Sequence, residues 1–488
     1  MAETIENLLK HSGPALSSSL VERLMKNGLS KDAARQRVSR AGGSVKRLGG
    51  LQFPNRERFL FLEGQFGKEE FRENLTTALK ESRTSYGRAL ISMESRGGAV
   101  HEPHFPIATG LPVENAKGQI LSALAVSRLE KVGMITRTST PDGDVIGLWN
   151  KPSISERRRA AITVEDVVLG VMKTWLAKIG WTSSGAVQSR SGQSVPKFGQ
   201  FRFDLVGPSY LNAIVVYRKG QKINGFIFAD ILLDSQVTAE ALEGFFSKWA
   251  VLTAQRRATR FQPIFIGESF DPEALNDLRA KGCIVACPET IFGEEVAKQL
   301  RDLVETIAHA AEAVTNNPQA VFELLSKINK LEGAALNLRG VVLELIVAHL
   351  FQRRSYVIEI RQQIQSEQGE RAEIDVRATS RKEVVCVECK GKAPGGLVDA
   401  PEIEQWLNTS LPRIKSWLKL MTLPDRRRFE FYSSTGYTDE AIALIAKITE
   451  THKKQPILFR TGRDVIEDLW EEKENALIDI FREQFGAK

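Results

Sequence analysis

The alternation of apolar and polar side chains near residue 380 predicts two neighbouring β-strands. Apolar residues flank Asp375 in the segment 372–376, and the segment 385–390 ends in Glu388-Cys389-Lys390. Because side chains alternate across a strand, Glu388 and Lys390 project from the same face. A hairpin through residues 380–382 would place Asp375 beside them. Two carboxylates and an ammonium at the end of a sheet suit a hard divalent cation and a water that attacks a phosphodiester.

The elements around this hairpin follow from similar patterns. Apolar residues recur at helical spacing over residues 338–350, with Glu344 among them, and residues 356–360 are predicted to form a first strand. After the hairpin, the pattern predicts a helix, a strand, a helix and a strand, at residues 404–418, 428–432, 438–452 and 456–459. The predicted order of elements is αβββαβαβ.

This order, together with the spacing of Asp375, Glu388 and Lys390, resembles the PD-(D/E)xK, or restriction-endonuclease-like, nuclease superfamily. The chain is most similar in character to Mrr-type restriction enzymes and archaeal Holliday-junction resolvases. The resemblance covers roughly residues 318–470, and Ile374-Asp375 stands where the family nominally has Pro-Asp. It implies a nuclease domain at residues 318–488.

The resemblance also implies a role for each residue of the motif. Asp375 and Glu388 would bind Mg²⁺ or Mn²⁺ together with water molecules. Lys390 would orient the attacking water or help to deprotonate it, and would stabilise the charge that develops on the phosphorane. Glu344 would bind a second metal ion or hold a metal-bound water, and Glu373 could replace Asp375 as a ligand.

Residues 160–312 are predicted to repeat this fold in a weaker form. A helix with Glu165 precedes a strand with Asp204 and a later strand with Asp230. The position two after Asp230, where the family has lysine, is Leu232. We interpret this region as a degenerate, catalytically inactive copy. The alternative is an unrelated α/β domain whose acidic residues merely lie at strand ends.

Residues 1–68 are predicted to form a winged-helix module, with helices at 17–26 and 30–41 followed by a hairpin. Basic residues greatly outnumber acidic residues between positions 20 and 60, as expected of a surface that contacts phosphates. The alternative is a winged helix that binds protein and has a solvated basic face. The residues predicted to contact nucleic acid are Arg35, Arg37, Arg40, Lys46, Arg47 and, beyond the catalytic motif, Lys392.

Residues 69–158 are predicted to form a second winged-helix-like module, because helical patterns at 85–95 and 115–133 precede a hairpin that turns at Pro141-Asp142-Gly143. The predicted fold class is therefore multidomain, with an N-terminal winged helix-turn-helix region followed by two α/β restriction-endonuclease-like domains. The first of these domains is the degenerate one.

Composition narrows the classes of protein that remain. The chain has 488 residues, a formal net charge of +7 and 42% hydrophobic residues, as expected of several globular domains with an anionic partner. No apolar stretch is long enough to span a membrane, and the N-terminus lacks the apolar core of a signal peptide, so a cytoplasmic location is expected. The four cysteines are expected to be reduced core residues rather than a zinc site.

We therefore predict a metal-dependent nuclease that cleaves DNA, is targeted by the N-terminal modules, and acts in restriction, anti-phage defence or DNA processing. One alternative is a non-enzymatic DNA-binding regulator or scaffold with structural nuclease-like folds. Another is an RNA-cleaving effector of the toxin type. The candidate partners are DNA, other defence-system proteins and a second copy of the chain in a homodimer.

Overall fold

The computed structural model describes residues 4–115, 118–140, 143–190, 194–218, 221–255, 260–329, 335–451 and 457–486. Over these ranges the chain is a multidomain α/β protein with several separate sheets. None of the helices there combines the length and the apolar character needed to cross a membrane. All four cysteines are free thiols; Cys283, Cys386 and Cys389 are buried as predicted, whereas Cys287 is only half-buried.

The first N-terminal module, residues 4–68, contains three helices and a small antiparallel sheet. Its elements are α1 (Ile5–Ser12), β1 (Ala15–Leu16), α2 (Ser17–Lys26), α3 (Lys31–Arg40), β2 (Val45–Arg47) and β3 (Phe59–Leu62), with the strand order β1-β3-β2. The Ser30 hydroxyl caps α3 by accepting a hydrogen bond from the Ala33 N–H. The predicted helices and the hairpin are present, while their assignment as a winged helix stays a prediction.

The second N-terminal module, residues 69–151, has a similar plan and includes a helix, α4, that the pattern analysis missed. Its elements are α4 (Glu69–Glu81), α5 (Ser85–Glu94), β4 (Ala99–His101), α6 (Phe105–Thr109), α7 (Ser122–Lys131), β5 (Ile135–Thr140) and β6 (Gly143–Leu148), with the strand order β4-β6-β5.

The predicted turn residues Pro141 and Asp142 lie outside the described residues. Helix α7 begins at Ser122, later than the predicted start at 115.

The first α/β unit, residues 156–286, is built on a five-stranded sheet. Its elements are α8 (Glu156–Lys178), β7 (Gln188–Ser189), β8 (Lys197–Phe198), β9 (Phe201–Arg202), β10 (Leu205–Ser209), β11 (Val216–Arg218), β12 (Gln221–Ile223), β13 (Gly225–Val237), α9 (Glu243–Ala254), β14 (Phe261–Phe270), α10 (Pro272–Ala280) and β15 (Ile284–Ala286). The sheet order is β15-β14-β13-β10-β7. Strands β7, β10 and β13 pair antiparallel, whereas β13, β14 and β15 pair parallel.

Four helices connect this unit to the next one: α11 (Pro288–Phe292), α12 (Glu294–Ala308), α13 (Ala310–Asn316) and α14 (Pro318–Asn329). The second α/β unit, residues 335–486, then contains α15 (Ala335–Arg353), β16 (Val357–Gln365), β17 (Arg371–Thr379), β18 (Glu383–Lys390), α16 (Ala400–Gln405), α17 (Leu411–Leu420), β19 (Arg426–Ser433), α18 (Asp439–Thr451), β20 (Ile457–Arg460), α19 (Gly462–Glu471) and α20 (Asn475–Phe485). A π-helical turn, Trp406–Ser410, joins α16 to α17.

The two α/β units share one topology. The second sheet has the order β16-β17-β18-β19-β20, with antiparallel pairs at β16-β17-β18 and parallel pairs at β18-β19-β20, as in the first sheet. In each unit a long helix precedes the sheet, and helices connect the parallel strands. The predicted order αβββαβαβ is therefore present in both units.

The units pack against each other through their leading helices. Helix α8 contacts α15, and one hydrophobic cluster runs through both units and includes Val168 and Leu169 of α8 and Val342 and Ile346 of α15. Both sheets contribute side chains to the same cluster. The predicted boundary near residue 312 consequently separates two folds that bury a common core.

Candidate active site

Asp375 is held at the point where β17 meets β18. Its Oδ2 accepts a hydrogen bond of 2.7 Å from the Cys389 backbone N–H, which fixes the carboxylate beside the end of β18. The strands pair Val376 with Val387, so Asp375 stands next to Glu388 across the hairpin. The hairpin predicted from sequence thus brings Asp375 and Glu388 together.

Lys390 completes this cluster. Its Nζ donates a hydrogen bond of 2.6 Å to Oε1 of Glu388, as expected of side chains two residues apart on one strand face. The Lys390 side chain is 33% exposed and that of Glu388 is 12% exposed, so the cluster reaches solvent. Burial opposes the charge on Lys390, but the carboxylates of Glu388 and Asp375 hold its pKa above the usual value.

Excess negative charge surrounds Asp375. Burial, then the charges of Glu388 and Glu344, raise the pKa of Asp375 well above its usual value, against the opposing effect of Lys390. Mg²⁺ and Mn²⁺ prefer oxygen ligands, and an excess of negative charge favours a bound cation. Mg²⁺ commonly binds through one or two protein carboxylates plus water and substrate phosphate. Asp375 and Glu388 therefore fit such an ion.

Glu344 lies on α15 and pairs with an arginine that was not singled out from sequence. Its carboxylate forms a two-point ion pair with Arg361 of β16, with Nε to Oε2 at 2.6 Å and Nη2 to Oε1 at 3.3 Å. Glu373 is likewise engaged, because Arg159 of α8 donates to its Oε2 at 3.0 Å and Gln363 donates to the same oxygen. Among the described residues, no three His, Cys, Asp or Glu side chains are grouped so as to hold a metal ion.

The first α/β unit has corresponding positions, which the strand registers define. Leu205 pairs with Ala229 as Val376 pairs with Val387, so Asp204 corresponds to Asp375. Counting one and three residues beyond these pairs along β13 and β18 aligns Asp230 with Glu388 and Leu232 with Lys390, as predicted from the sequence. The correspondence extends to a hydrogen bond, since Asp204 Oδ2 accepts from the Ile231 N–H at 2.8 Å, just as Asp375 accepts from Cys389.

Internal cations neutralise the acidic residues of this first unit. Arg190 donates to Glu165 Oε2 at 2.7 Å and to Asp204 Oδ1 at 2.8 Å, and Arg158 donates to Glu165 Oε1 at 2.7 Å. Although burial raises the pKa of Glu165, the charges of Arg158 and Arg190 bring it down to about 2. All four side chains are buried, so this cluster contrasts with the partly exposed Asp375 site.

Asp230 is paired in the same way by Lys248 of α9. Both side chains are buried, and the lysine ammonium also donates to the backbone carbonyls of Arg202 at 3.1 Å and Ile107 at 3.3 Å. Ile107 belongs to the second N-terminal module, and Arg96 of that module donates to the Ile231 carbonyl at 3.2 Å. The second N-terminal module therefore covers the acidic residues of the first unit.

The residues predicted to contact nucleic acid are in different environments. Arg35 and Arg40 are exposed on α3, and Arg37 is half-buried there. Arg47 donates to the carbonyls of Ser39 and Ala41 at 2.8 and 2.9 Å and so caps the end of α3. Two further predicted contacts have acidic neighbours on the protein itself: Lys46 lies 3.6 Å from Glu63, and Lys392 donates to both carboxylate oxygens of Glu402 at 2.7 Å.

A groove of about 1040 Å³ runs along the first N-terminal module between α2, α3 and the loop before β3. Its basic lining consists of Lys31, Arg35, Arg47, Arg56 and Arg58, opposed by Glu22 and Glu57. Two of the predicted contact residues, Arg35 and Arg47, thus face a shared concave surface.

Five basic residues of these clusters were not singled out from sequence: Arg158, Arg159, Arg190, Lys248 and Arg361. Each pairs with an acidic residue that was singled out. Arg158 lies seven residues, or about two turns, before Glu165 on the same helix, where a helical plot would have suggested the contact. The other four join different elements. An arginine within or just after the first strand of both units is a signal that an alignment of the two halves would have revealed.

No family model matches the chain, and no curated protein matches it. Two solved structures are similar to parts of it. One is AF1548, a protein of unknown function, with 19% identity and a TM-score of 0.21 over 27% of this chain and 67% of that chain. The other is the MspJI restriction endonuclease in complex with a 27-mer oligonucleotide, with 12% identity and a TM-score of 0.18 over 34% of this chain. The matched region spans about a third (35%) of MspJI, and at these TM-scores neither similarity assigns an activity.

Proposed function

We propose that this protein is a metal-dependent nuclease of the PD-(D/E)xK type that cleaves DNA at the Asp375 site. The observation that carries the proposal is the contrast between the two α/β units. In the first unit the acidic residues are buried and paired with internal cations, whereas in the second unit Asp375, Glu388 and Lys390 meet at a partly exposed sheet end. A purely structural role would not require that exposed combination.

Each residue of the cluster has a chemical task in this proposal. Asp375 and Glu388 would hold the divalent cation, which would supply positive charge and activate a water molecule for attack on the phosphodiester. The Cys389 N–H keeps Asp375 in place. Lys390 has three donor hydrogens, of which one is given to Glu388, and its exposed side can donate to the attacking water and to the phosphate.

The substrate class is argued from charge. DNA binding requires cations that face solvent, and the groove on the first N-terminal module offers five basic side chains against two acidic ones. Phosphate contact there would position the duplex, while the cleaved bond lies at the Asp375 site. A role in restriction, anti-phage defence or DNA processing follows from a nuclease that carries its own DNA-reading module.

The test is cleavage by the full-length protein of plasmid DNA, linear duplex, single-stranded DNA and RNA, each with Mg²⁺, Mn²⁺ or EDTA. We expect cleavage of duplex DNA that EDTA abolishes. Asp375→Ala, Glu388→Ala and Lys390→Ala should each lower the rate by about 100-fold or more, because the two carboxylates would hold the cation and Lys390 would stabilise the negative charge of the transition state.

The matched control is Lys382→Ala, which removes an exposed cation from the turn of the same hairpin and should leave the rate unchanged. Binding of DNA should survive in all of the variants. Full activity in the double variant Glu388→Ala/Lys390→Ala would refute the nuclease proposal and leave a DNA-binding scaffold. Cleavage of RNA alone would favour the effector of the toxin type.

A further inference from the structure

Arg361 occupies an unusual position in the second α/β unit. It lies inside β16, yet its φ of 53° is in the left-handed region that non-glycine residues rarely adopt within a strand. The register passes from Ile360–Val376 to Gln362–Ile374, so Arg361 stands directly opposite Asp375. Strain of this kind persists only when the surroundings impose it, and it is common at functional sites.

The side chain of Arg361 enters the carboxylate cluster. It makes the two-point ion pair with Glu344, and although burial opposes its charge, Glu344, Glu373 and Asp375 raise its pKa further above the usual value. Its own side chain is 16% exposed, so the guanidinium is a fixed internal charge rather than a surface one. The acidic residue predicted to hold a second metal ion therefore already has a cation at hydrogen-bond distance.

The same cation recurs at the equivalent position of the first unit. Ser189 pairs with Leu205 as Ile360 pairs with Val376, so the next residue, Arg190, is the counterpart of Arg361. Arg190 joins the helix glutamate to the strand aspartate, Glu165 to Asp204. A guanidinium between these two acidic residues is thus a feature of the duplicated fold and does not depend on the Asp375 site being exposed.

Charge balance in the second unit leaves room for one more cation. Four carboxylates, those of Glu344, Glu373, Asp375 and Glu388, face three basic side chains, those of Arg361, Arg159 and Lys390. Arg361 pairs with Glu344, and Arg159 pairs with Glu373. Of the remaining two carboxylates, Glu388 accepts a hydrogen bond from Lys390 and Asp375 accepts one from the Cys389 N–H.

We infer that Arg361 takes the place of a second metal ion, so that the site binds one divalent cation, between Asp375 and Glu388. Glu344 is then a positioning residue that acts through Arg361 rather than a metal ligand. This inference rests on the proposed function, and it revises the role that the family resemblance implied for Glu344.

The test counts metal ions without relying on cleavage. Mn²⁺ alone is titrated into the full-length protein, and bound ion is measured by electron paramagnetic resonance and calorimetry. The double variant Asp375→Ala/Glu388→Ala is the blank for adventitious surface binding. We expect one Mn²⁺ per chain above this blank in the wild type and in Glu344→Gln, since Glu344 is not a ligand.

Arg361→Met removes the charge and should allow a second Mn²⁺ to bind, because Glu344 then loses the guanidinium that pairs with it. Arg361→Lys retains a charge without the two-point geometry and should remain at one ion, which controls for a general loss of folding. Two ions in the wild type, with one lost in Glu344→Gln, would overturn the inference alone, as would one ion in a folded Arg361→Met. No ion above the blank in the wild type would overturn the proposed function, and the inference with it.

Discussion

Glu165 and Glu344 occupy equivalent positions in two copies of one fold, so the same substitution at each separates a structural role from a functional one. We consider Glu165→Gln and Glu344→Gln, which keep the shape of the side chain and remove its charge. Glu165 is completely buried between Arg158 and Arg190 and accepts a further hydrogen bond of 3.1 Å from the Leu233 N–H. Glu344 is about 10% exposed and pairs with Arg361.

The expected cost differs between the two sites. Removing one partner from a buried, hydrogen-bonded charge pair typically costs about 3–5 kcal/mol, since the other charge remains buried without compensation. The lowered pKa of Glu165 gives a similar figure: from 4.5 to about 2 corresponds to roughly 3 kcal/mol at about 1.4 kcal/mol per pKa unit. Because Glu344 has one arginine partner and some contact with water, Glu344→Gln should cost roughly 1–3 kcal/mol.

The sign of the pH dependence follows from the direction of the shift. A carboxyl group whose pKa is lower in the folded state stabilises the fold when it is ionised in both states, above about pH 4.5. That contribution is lost progressively as the pH falls from about 4.5 toward 2. Glu165→Gln should therefore remove stability at pH 7 and flatten the acid sensitivity in that window.

The assays are thermal unfolding followed by circular dichroism and cleavage of duplex DNA at a temperature where each variant is folded. A loss of about 3 kcal/mol should lower the first melting transition by roughly 6–12 °C for a unit of this size. Cleavage at low temperature should be unaffected in Glu165→Gln and reduced about 10- to 100-fold in Glu344→Gln, the usual cost of losing a positioning contact. An unchanged melting temperature in Glu165→Gln, or an equal loss of cleavage in both variants, would refute the assignment of the two roles.

Two further predictions concern other parts of the chain. Changing Arg35, Arg37 and Arg40 together to alanine should reduce the slope of log affinity against log salt by roughly two or three, at about 0.9 per phosphate contact. The slope is measured by fluorescence anisotropy with duplex DNA. Identical slopes for the wild type and the triple variant would indicate that the first N-terminal module binds protein. Lys248→Met should destabilise the protein by about 3–5 kcal/mol, whereas the double variant Lys248→Met/Asp230→Leu should recover much of that loss, because no buried charge then lacks a partner. Urea unfolding measures the stability of both variants. A double variant that is less stable than Lys248→Met would contradict the pairing.

The local pattern of apolar and polar residues was sufficient to predict the β17–β18 hairpin that carries the candidate site. The segments around Asp375 and Glu388 alternate apolar and polar residues, and the polar turn at 380–382 ends the first strand, so the register and the shared face of Glu388 and Lys390 follow from periodicity alone. The helix that carries Glu344 was also predictable, since its apolar residues recur at helical spacing over several turns. The structure of these elements is determined by residues close to one another in sequence.

The cations of the two clusters were not predictable in the same way. Lys248 meets Asp230 and Arg159 meets Glu373 only because helices pack onto sheets, across 18 and 214 residues of sequence. Arg361 lies in a polar stretch of β16, where the pattern of polar and apolar residues is the same as that of an exposed strand. Its left-handed backbone conformation has no local cause in the sequence, such as a glycine. Tertiary packing selected these partners, and the sequence gives no local indication of them.

The ammonium missing at Leu232 is present nearby as Lys248, and its contacts decide whether it could restore catalysis in the first unit. A lysine ammonium has three donor hydrogens. Those of Lys248 have three acceptors, the carboxylate of Asp230 and the carbonyls of Arg202 and Ile107, which leaves none for a water or a phosphate. Since Ile107 belongs to the second N-terminal module, moving that module away to admit a substrate would remove one of these three acceptors. The acidic residues of the first unit therefore hold the module in place, and in the proposed function the Asp375 site alone would cleave DNA.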